Sequence, residues 1–84
     1  MKLSEARQQA GYGRPKASRL ADVDYPSLYR IEIGTRVPRI ETVMRISEAL
    51  GLDPWTIDEF RLALEKAEAA GLIVRPRKTG RVKG

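Results

Sequence analysis

The sequence contains no cysteine and no histidine. Without cysteine there is no disulfide framework to staple a small fold. Without either residue the usual soft metal ligands are missing, and so is the commonest proton-transfer side chain. Aromatic residues are few: one Trp, one Phe and three Tyr. No apolar run approaches the ~18 residues that span a membrane. The opening stretch MKLSEARQQAGYG has no uninterrupted apolar segment of the signal-peptide kind. The expectation is a soluble, unprocessed chain in a cytoplasmic setting, with no membrane partner. Convincing strand alternation is also absent, and there is no internal repeat; GLIVR (71–75) could at most form a short extended piece.

What is present is charge, unevenly spread. The 84 residues carry 16 Lys+Arg and 11 Asp+Glu, a formal net charge of +5. Residues 1–50 hold nine basic and six acidic side chains; residues 51–70 hold two and five; residues 71–84 hold five and none. A basic excess at both ends suggests a polyanionic partner, with ordinary solubility as the duller explanation. A chain of this length makes one domain and buries only about 60% of its unfolded surface, so stability must come from one small packed core.

Glycine and proline punctuate a helical pattern. Leu3, Ala6 and Ala10 share a face before Gly11. Pro15 suits the first turn of a second helix, whose apolar positions are Ala17, Leu20 and Ala21. Asp22-Val23-Asp24 reads as a turn, with Asp24 placed to cap the next helix. That third helix runs from Tyr25 or Pro26 to Ile33, and Gly34 stops it. A fourth starts near Ile40 or Glu41, carries the stripe Ile40, Val43, Ile46, Ala49 and Leu50, and ends at Gly51. Asp53-Pro54 is a cap and first-turn proline. Trp55, Phe60, Leu64 and Ala67 then mark one or two further helices to about Ala70, with Thr56 and Glu59 at capping-box spacing. Val23, Leu28, Ile31, Val43, Ile46, Leu50 and Trp55 read as core. The predicted class is all-α: a compact bundle of about five short helices containing a helix-turn-helix. Residues 1–70 form the domain, and residues 71–84 a basic tail, mobile from Arg75 on.

The best-defined stretch is YRIEIGTRVPRIETVMRISEALGL (29–52). Arg30, Ile31, Glu32, Gly34, Arg36, Pro38, Glu41, Thr42, Ile46, Ala49, Leu50 and Gly51 stand at the places of a pattern that crosses from a recognition helix into the next helix. ARQQAGY looks like the matching end of a first helix. On these residues the chain resembles the Cro/CI-type (XRE-like) helix-turn-helix family of phage repressors, over about residues 3–60. It departs from the family pattern at Ala17, usually a large aliphatic, with Leu20 adding bulk nearby and helix 2 turned slightly. It departs also at Asp22, usually Gly, at Arg14, often Gln, and at Arg39, often a Ser or Thr cap.

The resemblance implies a regulator of transcription, a small Cro- or repressor-like protein acting on a double-stranded DNA operator in a bacterial or phage-infected cell. Two copies on a palindromic site are common in the family, and nothing in the sequence fixes a dimer surface. A recognition helix enters the major groove with its first turns at the base edges. That assigns Tyr25, Pro26, Ser27 and Arg30 to base contacts. Arg14, Lys16, Tyr29, Arg36 and Arg39 fall to backbone phosphates, which fix register without reading sequence. Glu32 would be repelled by phosphate, and the family pattern pairs it inward with a basic residue of the first helix, here Arg7.

An enzyme is not expected. No Ser has a neighbouring base, no glycine-rich phosphate loop follows a strand, and Asp58-Glu59 look like first-turn charge at a helix start. Nor is a cofactor, metal or small-molecule ligand expected. The rival function is a protein-interaction module, antitoxin-like or host-targeting, that keeps the fold and works through residues 54–84, where Trp55, Phe60, Leu62 and Leu64 offer an apolar surface. The arginines around the third helix favour DNA.

Overall fold

Asp24, Asp53 and a series of left-handed residues set where the helices begin and end. The computed structural model describes residues 1–76, and within them the chain forms five α-helices. These are α1 (Leu3–Gln9), α2 (Arg14–Ala21), α3 (Tyr25–Glu32), α4 (Ile40–Leu50) and α5 (Arg61–Ala69). Two short 3-10 turns, Pro54–Thr56 and Asp58–Phe60, join α4 to α5. No strand occurs among the described residues; residues 73–76, from the GLIVR stretch onward, have no regular structure. No described helix is long and apolar enough to cross a membrane.

All five helices close in the same way. An N–H just beyond each helix end bonds a carbonyl five residues back, as in Val23 to Ser18 (3.0 Å) and Leu52 to Ser47 (2.8 Å). This geometry needs a left-handed residue between the two. Four helix ends use glycine there; the α2–α3 turn uses Asp22, at φ 55° and ψ 47°. The Arg45 guanidinium on α4 donates to the Asp22 carbonyl (3.2 Å) and ties the turn to the body of the fold.

The core is built from every helix. Leu3, Ala6, Leu28, Ile31, Val43, Ile46, Leu50, Ile57, Phe60 and Leu64 are buried together. The inward face of α2 is small: Ala17, Ser18 and Ala21. Small side chains let α2 lie close against α4. Leu20 is 48% exposed, so it does not supply the bulk missing at Ala17. Ala10 is likewise exposed, and the third buried residue of α1 is Arg7. Val23 and Trp55 only pack partly against the core; Ile57 takes the fully buried place beside Phe60.

The fifth helix starts later than its pattern suggests. Thr56 and Glu59 do not form a capping box: the Thr56 hydroxyl donates to the Asp53 carbonyl (2.7 Å), and Glu59 accepts from the Leu3 N–H (2.7 Å). Glu59 therefore caps α1 instead of its own helix, and Asp58 lies 3.1 Å from the Met1 amino group. Beyond α5 the packing continues to Ile73. Arg75 folds back, with Nη2 3.2 Å from Glu68 Oε1 and its guanidinium 4.3 Å above the Trp55 ring. The first cation assigned to a mobile tail is thus held against α5 and Trp55. Arg77, Lys78, Arg81 and Lys83 lie outside the described residues.

Candidate nucleic-acid interface

The start of α3 is fixed by one aspartate. Asp24 takes an extended conformation, and its carboxylate accepts from the Ser27 N–H (3.1 Å) and the Ser27 hydroxyl (2.8 Å). Bonds from the Ser27 hydroxyl first, then its N–H, hold the Asp24 carboxyl below its ordinary value of 3.8, and the Arg36 charge adds to this. Arg36 Nη1 donates to the same Ser27 oxygen (2.9 Å). The loop after α3 is thereby strapped to the helix start. Ser27, expected on the outward face, is instead buried with its hydroxyl engaged on both sides. The reason is positional: the third residue of a capped helix turns its hydroxyl back to the cap.

The other residues assigned to bases lie outward. Tyr25, Pro26, Tyr29 and Arg30 are exposed on α3, as is Ile33 just beyond its end. Leu28 and Ile31 point into the core, so α3 presents one polar-aromatic face and buries the other. Arg39, at the start of α4, is exposed and makes no capping bond with its side chain. Lys16 lies over the Tyr12 ring at 5.3 Å.

Glu32 sits under this surface with its side chain 1% exposed. Arg7 grips it with two bonds, Nε to Oε2 at 2.7 Å and Nη2 to Oε1 at 3.1 Å, and donates to the Tyr12 carbonyl at 3.0 Å. The carboxylate is also shared. Arg14 Nε donates to Oε1 at 2.9 Å, and the Arg14 guanidinium stands 5.1 Å from the centre of the Tyr29 ring. Glu32, then the Tyr25 hydroxyl, hold Arg14 in its charged form above its ordinary range. So Arg14, assigned to phosphate alone, belongs first to a three-residue ion cluster joining α1, α2 and α3. The sequence pattern gives no sign of this sharing or of Arg45 on the turn, because both join distant segments. The Asp24–Ser27–Arg36 chain was legible only in its first link, the Asp24-to-Ser27 spacing.

Two helices joined by a tight turn, the second outward-facing and flanked by arginines, are the architecture of a helix-turn-helix. The chain matches the family model of the helix-turn-helix domain over residues 1–60, and it belongs to that family. This is a DNA-binding family and typically a non-enzymatic one. No curated protein and no solved structure matches the chain.

Proposed function

We propose that the protein is a sequence-specific, double-stranded-DNA-binding regulator of transcription, of the small phage Cro or repressor type. The observation that carries this reading is the exposed face of α3. Tyr25, Pro26 and Arg30 stand clear of the core on a helix whose start is capped, with Arg36 and Arg39 beside it. A helix presented so fits the major groove. Arg30 can bond guanine at two points, which is worth about 1–3 kcal/mol of discrimination. Arg14, Lys16, Tyr29, Arg36 and Arg39 supply phosphate contacts around it. Two copies on a palindromic operator, in the cytoplasm, complete the reading.

Selection of bound duplexes from a random pool tests it, followed by titration of Arg30→Ala on the preferred and on random DNA. The expected loss is about 5- to 150-fold on the preferred site and little on random DNA. Equal losses would take Arg30 out of base reading; failure to enrich any sequence would overturn specific binding. Sedimentation on the selected duplex counts the copies bound.

The rival reading, a protein-interaction module working through residues 54–84, loses Phe60 and Leu64 to the core. It keeps Leu62 and one side of a groove of about 320 Å³, where Ala67 and Leu72 face Val37 and Ile40 with Arg39 and Lys66 in the lining. Leu72 in that lining is 69% exposed. Retained affinity for a protein partner in a chain that enriches no DNA would favour it.

A further inference from the structure

Glu32 is too buried to meet DNA, yet it holds a cation that is not. Its carboxylate is shared by Arg7, whose side chain is 6% exposed, and Arg14, whose side chain is 33% exposed. We infer that Glu32 is the positioning residue of a phosphate clamp made by Arg14 and Tyr29. This rests on the DNA-binding reading above and extends it to how the backbone grip is prepared.

The geometry runs outward from the core. Arg7 fixes both carboxylate oxygens through its 2.7 and 3.1 Å bonds, so Glu32 has one orientation. Oε1 then takes the Nε–H of Arg14 at 2.9 Å. With Nε occupied and the Tyr25 hydroxyl also against the guanidinium, the terminal amino groups of Arg14 carry its remaining donors. The guanidinium is steadied a second time by the Tyr29 ring, 5.1 Å from its carbon to the ring centre. Tyr29 itself is 42% exposed and carries a phenolic donor on that ring. A lone surface arginine must surrender its rotamer freedom to grip a phosphate. Here Arg14 has given it up on folding. The charge also comes out right: two guanidinium groups and one carboxylate leave the cluster with one net positive charge, so it still attracts an anion.

The test uses the full chain and its selected duplex, with binding measured across a salt series. Arg14→Gln removes the charge and should lower the log–log salt slope by about 0.9. Arg14→Lys keeps a cation but loses the planar fork that joins Glu32 to Tyr29. It should keep the wild-type slope and bind about two- to tenfold more weakly. Glu32→Asp is one methylene shorter, too short to serve Arg7 and Arg14 together, and should behave like Arg14→Lys. Tyr29→Phe in the wild-type and Arg14→Lys backgrounds should give non-additive losses, since the two groups act on one phosphate. If Glu32→Asp melts below the titration temperature, Arg14→Lys and the Tyr29 cycle decide. Folded Glu32→Asp or Arg14→Lys proteins that bind as wild type would leave Glu32 a purely structural ion partner and overturn the clamp. A wild-type chain that binds no duplex would instead sink the DNA-binding reading, and the clamp with it.

Discussion

Asp22 occupies a backbone conformation that its neighbours at the other helix ends leave to glycine. An L-residue at φ 55° carries a clash between Cβ and the following carbonyl; Asp tolerates it better than most, but not freely. Its side chain is exposed, and the bond from Arg45 goes to its backbone carbonyl, which any residue offers. Asp22→Gly should therefore stabilise the domain by about 0.5–1 kcal/mol, net of glycine's greater freedom when unfolded. For a domain of this size that is a rise of about 2–8 °C in melting temperature. An unchanged or lowered Tm would show that the left-handed turn is not strained. Asp24 gives a pH signature. Its carboxyl is held below the ordinary value of 3.8 by Ser27 and by Arg36. A depressed folded pKa contributes stability above the unfolded pKa, and that contribution is lost as pH falls through the folded value. Asp24→Asn keeps an acceptor without the charge. The stability gap between wild type and Asp24→Asn should hold at neutral pH and close as the pH drops below about 4. A gap that does not change between about pH 7 and about pH 2.5 in paired denaturant melts would place the carboxylate's bonds outside the fold's energetics.

At the scale of the element, α1, α2 and α3 are joined by one carboxylate. Removing Arg7 deletes two of the three bonds to Glu32 and the bond to the Tyr12 carbonyl, and leaves a carboxylate 1% exposed. Breaking one side of a buried pair costs about 3–5 kcal/mol. Arg14 remains as a partner, so Arg7→Ala should fall at about 2–4 kcal/mol, and Arg14→Ala well below it. Equal melting temperatures for the two variants would show that Arg14 alone can satisfy Glu32. The same elements show what a sequence reveals. The bounds of α3 and α4 were readable because Asp24, Gly34 and Gly51 act within a few residues of the ends they set. The partner of Glu59 was not, since the Leu3 N–H lies 56 residues away in the chain. Leu20 misled for a related reason: apolar spacing on α2 names two adjacent faces, and only the tightness of the α2–α4 packing selects the Ala17–Ala21 face. Ser27 was expected outward with the rest of its face; its hydroxyl turns back to Asp24 instead. The site's outward residues were legible from the family pattern, and the ion cluster behind them only in part.

Over the whole molecule, charge is sorted by end. Arg19, Arg30, Arg36 and Arg39 are exposed on and around α2 and α3, while residues 51–70 carry five carboxylates against two cations. An acidic stretch is a poor neighbour for phosphate, so the proposed DNA-binding reading puts the 51–70 side away from the duplex. Arg75 lies on that acidic side, against Glu68 and Trp55. Its ion pair is largely exposed, with side chains 52% and 37% accessible, and such pairs contribute about 0–1 kcal/mol. Arg75→Ala should thus leave folding almost unchanged, which thermal melts will check; a large drop in Tm would make this contact part of the core.

The fold also carries its own optical probe. The chain has a single tryptophan, and a guanidinium lies 4.3 Å over its ring. Indole emission responds to a cation at that distance and to the water admitted when the cation leaves. The colour and intensity of Trp55 fluorescence therefore report whether the segment at Arg75 is docked on α5. The wild-type chain needs no label for this, and Arg75→Ala supplies the undocked reference spectrum. A DNA titration followed at Trp55 would read whether operator binding pulls the C-terminal segment from α5, in the same cuvette that measures the affinity.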